Sequence, residues 1–463
     1  MTKPQIVWLR RDLRIQDNPA LYHASQDGPV VAVYVLDDAV AGRHQYGGAS
    51  RWWLHYSLQS LQKDFGKING KLVLRRGNST LELCKLAEEI GAETIHANRH
   101  YEPWWRQAQG ELKKRVSLKL YDGNFLLPPG SVRTRTGSDY KIYTPFAKAT
   151  LSMLPPRGVL PGPKDLLPPE SCPKSDRLES WVLRPENLNW ANGFTEFWEI
   201  GEAAARNRLQ RWKGKVDDYD SGRNFPSVEK TSLLSPHLHF GEITPVQIWH
   251  ELCGKSSDGW KVYEKELIWR DYAQNVVCQF PRYPLENYRK DFDEIGWRDP
   301  REDERALADL RAWKKGKTGY PIVDAGMRQL WQTGWMHNRV RMITASFLVK
   351  HLLIDWRVGE KWFWDTLVDA DYASNGANWQ WVAGTGVDSN MFVRIMAPLS
   401  QSEKFDASEY IRRHIPELAH LEDPYIHDPE AFGCLPNNYP PKIVSHKEGR
   451  DRALTAYRAM KRK

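Results

Sequence analysis

Cysteine is scarce in this chain of 463 residues, which holds only five, and none of them forms a CxxC pair. An odd number of scattered cysteines argues against a disulfide framework and against a zinc site. We therefore expect reduced, mostly buried thiols and no bound metal. The five residues are Cys84, Cys172, Cys253, Cys278 and Cys434.

Long apolar runs are lacking as well. No stretch approaches the roughly 18 uncharged apolar residues that a membrane helix needs. The first residues, MTKPQIVWLRRDLRIQD, lack the apolar core of a signal peptide. The sequence therefore predicts a cytoplasmic protein that has no membrane partner.

The usual nucleotide-binding fingerprints are also missing. No GxGxxG follows a predicted strand, which argues against a conventional dinucleotide site. A Gly-Lys-Thr triplet stands at residues 316–318, but Arg311 occupies the position where a P-loop requires glycine, and no strand precedes it.

Tryptophan and positive charge are abundant. The chain has 21 tryptophans, a formal net charge of +8 and a pI near 9.0. Such a charge favours a polyanionic partner, although many basic chains bind nothing in particular. Tryptophan fills protein cores, but it also stacks on bases and carries electrons.

The first 130 residues alternate between two periodicities. Apolar runs predict buried parallel strands at residues 6–9, 30–36, 71–74 and 94–96, and helical spacing predicts helices at residues 50–65 and 80–90. This alternation is typical of a doubly wound parallel-sheet α/β domain.

The rest of the chain divides by composition. Proline and glycine are frequent at residues 131–201, which suits a long linker. From residue 202 almost every segment has helical periodicity. We therefore predict an α/β domain at residues 1–130, an interdomain linker at residues 131–201 and an all-α domain at residues 202–463.

Residues 334–381 concentrate an unusual set of side chains: an arginine, carboxylates, amides and tryptophans. A redox flavin with an electron path leading away from it is one of the few chemistries that uses such a set. The residues are Asn338, Arg341, Met342, Trp356, Asp369, Asp371, Asn375, Trp379 and Trp381.

Two pairs within this set have a predicted geometry. Asp371 and Asn375 are four residues apart and share one face if that segment is helical. Arg341 is expected to pair with Asp369, and a cation beside a flavin ring stabilises its anionic reduced form. The alternative is a buried salt bridge with a purely structural role.

An upstream segment is rich in hydroxyl groups. Thr231, Ser232 and Ser235 lie just before a predicted helix, where hydroxyls and free backbone N–H groups suit a phosphate. The alternative is an ordinary helix cap.

In the segment KELIWRDY, helical spacing places Glu266, Trp269 and Arg270 on one side. A carboxyl can bond the polar edge of a flat ring while an indole packs on its faces. The alternative is a surface ion pair between Glu266 and Arg270.

The segment TGWMHNRVRMITASFLVKHLLIDWRVGEKWFWDTLVDADYASNGANWQW resembles the flavin-binding core of the photolyase/cryptochrome family. It is most similar to the class I photolyases that repair cyclobutane pyrimidine dimers. The resemblance runs from WLRRDLRIQDNPAL near the start to PPKIVSHKEGRDRAL near the end. It implies an α/β domain followed by an all-α domain that binds FAD and DNA.

The resemblance implies a set of FAD contacts, with Asn375 facing the flavin N5. Because an amide does not readily release a proton, asparagine there favours the fully reduced flavin. The implied contacts are Tyr219, Thr231, Ser232, Leu233, Leu234, Ser235, Trp335, Asn338, Arg341, Asp369, Asp371 and Asn375.

The resemblance also implies a dimer pocket surrounded by phosphate contacts. The (6-4) photolyases place histidines where Asn338 and Met342 stand here, which favours cyclobutane dimers. The implied substrate and DNA contacts are Glu266, Trp269, Arg270, Asn338, Arg339, Met342, Trp381, Arg394 and Lys404.

Trp379, Trp356 and Trp297 resemble the family's three-step electron chain, with Trp313 as an alternative surface end. Trp379 and Trp381 are two residues apart and should point in different directions. With Glu266, Asn338, Met342 and Asn375, the three relay tryptophans form the predicted catalytic set.

A second, light-harvesting chromophore is left open. Trp104 and Trp105 stand where folate-binding relatives carry small polar residues, so the site holds a folate, a deazaflavin or nothing.

The expected function is light-driven repair of cyclobutane pyrimidine dimers by a monomeric lyase that binds UV-damaged DNA. The alternatives are a cryptochrome-type blue-light receptor and a light-independent flavoprotein oxidoreductase.

Overall fold

A computed structural model describes residues 2–171, 173–184, 189–389 and 392–462. Its first part is a parallel sheet of five strands in the order β3-β2-β1-β4-β5. The strands are β1 (Gln5–Leu9), β2 (Val30–Leu36), β3 (Leu72–Arg76), β4 (Thr94–Asn98) and β5 (Ser117–Tyr121). All residues of β1 and β2 are buried, because helices cover both faces of the sheet.

The four helices of this layer are α1 (Pro19–Asp27), α2 (Gly48–Gly66), α3 (Ser79–Ile90) and α4 (Pro103–Leu112). The predicted doubly wound α/β arrangement is confirmed. β2 has the predicted bounds. β1 and β4 differ from their predicted bounds by one or two residues at one end, and β3 differs by one or two residues at both ends. β5 was not predicted, because SLKLY alternates polar and apolar residues at a partly exposed sheet edge.

Beyond Tyr121 the described residues form helices and isolated bridges instead of strands, which confirms the predicted all-α part. The helices are α5 (Tyr143–Ser152), α6 (Asn192–Phe197), α7 (Glu202–Lys213), α8 (Tyr219–Gly222), α9 (Ser235–Phe240), α10 (Pro245–Leu252), α11 (Asp258–Gln279), α12 (Glu304–Lys314), α13 (Pro321–Thr333), α14 (Asn338–Ser346), α15 (Trp356–Thr366), α16 (Tyr372–Ala383), α17 (Pro398–Lys404), α18 (Ser408–His414) and α19 (His446–Arg462). The bounds of the three predicted segments stay predictions.

Side-chain caps set the first residues of the three helices that carry most of the predicted site. His337 precedes α14 and accepts a hydrogen bond from the Arg339 N–H. Asp355 precedes α15 and accepts from the N–H of the second residue of that helix. Asp371 precedes α16 and accepts from the Ser374 N–H. These caps hold the helix starts in place.

The sheet layer and the helical region are joined by buried polar contacts. The fully buried Arg14 donates to the carbonyl oxygens of Gly123 and Gly241 at 2.9 Å each. Glu202, also buried, accepts from the backbone N–H groups of Ile15 and Gln16 at 2.7 and 3.2 Å. A side chain at Gly241 would collide with the Arg11 carbonyl, so the two backbones meet closely there.

Four of the five cysteines are described, and all four are unpaired. Cys84, Cys278 and Cys434 are half-buried and Cys253 is exposed, so the prediction of mostly buried thiols is wrong for these four. Cys172 lies outside the described residues. Among the described residues, every helix is too short or too polar to cross a membrane.

Candidate functional site

The Asp369 carboxylate joins the two segments predicted to hold a cofactor. Arg341 donates to both of its oxygens, at 3.1 and 2.9 Å, and the Ser235 hydroxyl donates to Oδ2 at 2.7 Å. The Arg341 Nε also donates to the Met336 carbonyl at 2.8 Å. The predicted ion pair is therefore present, and it fixes a guanidinium beside the start of α9.

The hydroxyl-rich segment has a strained turn at Leu233, whose φ of 53° lies in the left-handed region. Ser232 accepts from the Tyr263 hydroxyl at 3.1 Å, and the Tyr263 ring meets the buried Tyr219 edge-on at 5.2 Å. Trp335 is buried under the Arg341 guanidinium, 5.9 Å from its ring centre.

These residues fit a flavin dinucleotide. Ser235 is exposed although its neighbours Leu234 and Pro236 are buried, so a polar residue is accessible at this point of the chain. Hydroxyls, backbone N–H groups and one guanidinium are the donors that a diphosphate and the carbonyl edge of an isoalloxazine ring require.

Asp371 and Asn375 contact different partners, although they lie one turn apart. Asp371 accepts from Arg11 of the sheet layer at 3.1 Å. Burial would raise the pKa of the Asp371 carboxyl, but His239 and the charge of Arg11 outweigh it and hold that pKa below its ordinary value. The Asn375 amide instead donates to Glu360 on α15.

Trp379 and Trp356 lie along the same face of α15. Trp379 is buried, and its ring packs so closely on Gly359 that a side chain there would lie 2.2 Å from it. Trp356, one turn earlier on that helix, is fully buried and donates its Nε1–H to Asn287 at 2.7 Å. One predicted relay residue, Trp356, therefore begins α15, and the ring of the other, Trp379, lies against Gly359 one turn later on that helix.

Trp297 is half-buried, and the residue after it is bonded to the segment that precedes Trp356. Arg298, the following residue, donates its N–H to Leu353 at 2.8 Å and bridges to Ile354, two positions before Trp356. Trp313 is fully buried and donates to the Thr344 carbonyl at 3.0 Å. The alternative that Trp313 forms the surface end is therefore wrong.

The predicted dimer pocket has two pre-formed pairs. Arg223 on the loop after α8 donates to the Glu266 carboxylate, and the charge of Glu266 raises the Arg223 pKa even though burial lowers it. Trp269 stacks on Tyr143 with ring centres 3.4 Å apart and planes 4° apart, and it remains 37% exposed.

Arg270 follows Glu266 by one turn of α11, as its spacing predicts, but the two side chains have different partners. Arg270 donates to the carbonyls of Asn124 and Leu238 at 2.6 and 3.3 Å and stacks over Phe125. Its guanidinium therefore turns toward the sheet layer, and the alternative of a surface ion pair with Glu266 is wrong.

The remaining pocket candidates lie on α14 and α16. Asn338 is exposed, Met342 is half-buried, and Arg339 reaches both the Met342 sulfur (3.7 Å) and the Asn224 amide oxygen (2.5 Å). Trp381 is half-buried whereas Trp379 is buried, which confirms that these two rings point in different directions.

The predicted phosphate contacts differ in burial. Arg394 and Lys404 are both exposed, as a phosphate contact requires. The Arg339 guanidinium is instead half-buried over the Phe405 ring, 4.5 Å from its centre.

The two indoles at the predicted antenna wall pack against other aromatic side chains of the protein. Trp105 is buried edge-on against Trp8 at 5.8 Å. Trp104 is half-buried and meets Tyr372 edge-on at 4.9 Å. Trp105 therefore belongs to the core.

Three residues at the site escaped the sequence analysis: Arg223, Tyr143 and Glu360. Arg223 and Tyr143 are 43 and 126 positions away from the residues they hold. No local spacing joins partners at such separations. Glu360 was accessible in principle, since an acidic residue in the middle of the aromatic helix WRVGEKWFWDT is an unusual core residue.

A parallel α/β layer joined to an all-helical region, with a buried Arg–Asp pair beside hydroxyl-bearing residues, fits the class of flavoproteins. Two protein-family models match: "DNA photolyase" over residues 5–165 and "FAD binding domain of DNA photolyase" over residues 263–459. The chain belongs to the DNA photolyase/cryptochrome family, and FAD is its cofactor.

Relatives match over the whole chain. A deoxyribodipyrimidine photo-lyase of Agrobacterium fabrum is 45% identical and covers 100% of this chain and 99% of its own length. Cryptochrome-1 of Arabidopsis thaliana is 33% identical and covers 98% of this chain and 70% of itself. A bacterial class III photolyase structure from Agrobacterium tumefaciens superposes with a TM-score of 0.94 at 44% identity, covering 100% and 98%. These likenesses support photolyase activity on DNA, and the resemblance to class I stays a prediction.

Proposed function

We propose that this protein is a deoxyribodipyrimidine photo-lyase that repairs cyclobutane pyrimidine dimers in DNA under blue or near-UV light. The observation that carries the proposal is the pair of contacts on α11. Glu266 is held by Arg223, and one turn away Trp269 is held flat against Tyr143. A fixed acceptor beside a fixed aromatic face suits the polar edge and flat rings of a flipped-out pyrimidine pair.

Bound FAD would supply reversible one-electron donation to the dimer, so the redox chemistry would belong to the cofactor and not to the side chains. The side chains around Asp369 hold the cofactor, with Arg341 as the fixed cation. Thr231 and Ser232 donate hydrogen bonds to its polar groups, and Ser235, whose hydroxyl proton goes to Asp369, lines the same site.

The chain's own part in repair is to bind and orient the lesion. Glu266 accepts hydrogen bonds from the pyrimidine edges, Trp269 and Trp381 pack on the rings, and Asn338 and Met342 line the remaining side. A damaged pair stacks poorly in the duplex, so extruding it costs less than extruding normal bases.

Arg394 and Lys404 contact phosphates and give affinity that falls with salt. Trp297, Trp356 and Trp379 carry electrons inward from the surface. We further propose that the protein acts as a monomer in the cytoplasm.

The decisive experiment illuminates the chemically reduced, purified protein with an oligonucleotide that contains one thymine dimer. Recovery of intact thymines, measured by chromatography, is the expected result, with dark and undamaged-DNA samples as controls. Light without recovery of thymines would overturn the proposal.

The second candidate function is a cryptochrome-type light receptor, which the likeness to Cryptochrome-1 favours. A receptor uses the flavin and the tryptophans without needing a dimer pocket. Equal binding of damaged and undamaged DNA, together with absence of repair, would select this function.

A further inference from the structure

The sheet layer reaches the flavin side of the helical region through a buried carboxylate that the proposed repair does not use. Glu360 on α15 is fully buried. Its Oε1 lies 3.1 Å from His44 Nε2, and its Oε2 lies 3.3 Å from Arg43 Nη2. Both partners belong to the short 3-10 turn Gly42–His44, which follows β2.

The His44 imidazole is fixed between two helices. Trp364 of α15 meets it edge-on at 4.9 Å, and Tyr372 of α16 meets it edge-on at 4.8 Å. The ring is buried, so it holds its nitrogen against Glu360 with little freedom to rotate.

On its other side Glu360 holds Asn375. The Asn375 Nδ2 lies 3.2 Å from the Glu360 carbonyl oxygen and 3.1 Å from the carboxylate Oε1. Both neighbours accept hydrogen bonds and neither can donate, so the NH₂ group of the amide must face them. The amide oxygen is consequently the end that is turned away from Glu360.

We propose that Glu360, His44 and Arg43 are positioning residues that present the oxygen of Asn375 to the flavin N5. An oxygen accepts the N–H that N5 carries in reduced flavin, whereas an NH₂ group would oppose it. The sheet layer thereby slows the loss of electrons from reduced flavin to dioxygen. This inference rests on the proposed function only in placing Asn375 at N5.

The test follows flavin in the dark, without DNA. Each variant is purified with FAD, reduced chemically and exposed to air, and the return of oxidised-flavin absorbance gives the reoxidation rate. Glu360→Ala should reoxidise about tenfold faster than wild type, the effect of losing one hydrogen bond to a charged group. Glu360→Gln keeps an oxygen for Asn375 and should restore most of the wild-type rate.

Arg43→Ala should accelerate reoxidation by only about twofold, because the Arg43 side chain is 41% exposed and such pairs are weak. The matched control is Glu202→Ala, another buried carboxylate that joins the two layers, through Ile15 and Gln16. It should leave the rate unchanged at full flavin occupancy.

A double-mutant cycle separates positioning from general loosening. In an Asn375→Ala background, Glu360→Ala should add little, because the side chain through which it acts is gone. Additive effects, a wild-type rate in Glu360→Ala, or equal acceleration in Glu202→Ala would overturn the inference. If Glu360→Ala does not fold, an unchanged rate in Arg43→Ala would overturn it. Failure of dimer repair would overturn the proposed function and leave these rates as an independent result.

Discussion

The proposed flavin side and the proposed DNA side of the site differ in how far their side chains are already bound to one another. Around Asp369, Arg341 and Ser235 are hydrogen-bonded and the carboxylate is buried. On the DNA side, Arg394 and Lys404 extend into solvent.

This difference shows where geometry is built in and where it forms on binding. Side chains that already hold one another lose little freedom when a ligand arrives, so the flavin side favours tight, oriented binding. Exposed cations lose more freedom, and their contribution is screened by salt. In the proposed dimer pocket, Glu266 is likewise already paired with Arg223 and Trp269 with Tyr143, as on the proposed flavin side.

The largest expected effect concerns the buried tryptophans. Trp356→Phe should almost abolish photoreduction of oxidised FAD, because phenylalanine is much harder to oxidise than indole. Chemically reduced enzyme should still repair dimers. Absorbance during illumination with an external reductant measures the first property, and a dimer assay measures the second.

Trp313→Phe is the matched control for that prediction, since Trp313 is equally buried and lies 6.5 Å from Trp379 without reaching the surface. Its photoreduction should stay near the wild-type rate, while Trp297→Phe should slow it strongly. The reverse pattern would show that electrons enter through another exit.

The next effect tests the pre-bound flavin side. Asp369→Ala leaves Arg341 without its carboxylate, and breaking such a pair costs on the order of 3 kcal/mol, or about a hundredfold in flavin affinity. The Arg341 side chain is 23% exposed, so we place the free-energy cost of breaking the pair at the low end of the range for buried pairs. Flavin released on dilution measures the affinity, and full retention in this variant would contradict the role of the pair.

The sheet, the helical region and the Arg341–Asp369 pair were predictable because each depends on local spacing or on a continuous motif. Apolar runs give buried strands wherever both faces are covered, as in β2. β5 escaped because an edge strand needs only one buried face. The helix α11 shows the limit of prediction at the site. Spacing predicts which residues share a turn of the helix, but not which residues from other elements their side chains contact.

That limit explains the specific errors. Arg270 turns to backbone carbonyls of Asn124 and Leu238, and Glu266 pairs with an arginine 43 positions earlier. Such long-range partners are set by tertiary packing. The choice between Trp297 and Trp313 likewise depended on burial, which three-dimensional packing determines.

A smaller effect is expected within the pocket. Glu266→Ala should lower affinity for dimer DNA by about tenfold, since a hydrogen bond to a charged group is worth about 1.5–3 kcal/mol. Flavin content should not change. Arg223→Ala should reproduce most of this loss, because Arg223 holds the carboxylate in place. Normal dimer affinity in both variants, measured by fluorescence anisotropy, would remove Glu266 from the pocket.

The smallest effect separates the outer contacts from the pocket. Lys404→Gln should weaken damaged and undamaged DNA alike and lower the slope of log affinity against log salt by about one. Lys67→Gln, which removes an exposed lysine from the sheet layer, is the charge-matched control and should leave the slope unchanged.

Arg339→Gln should act differently, because Arg339 is tied to Met342 and Asn224 at the pocket instead of reaching into solvent. We expect it to reduce affinity for damaged DNA more than for undamaged DNA. Equal losses on both substrates would place Arg339 with Lys404 on the phosphate side.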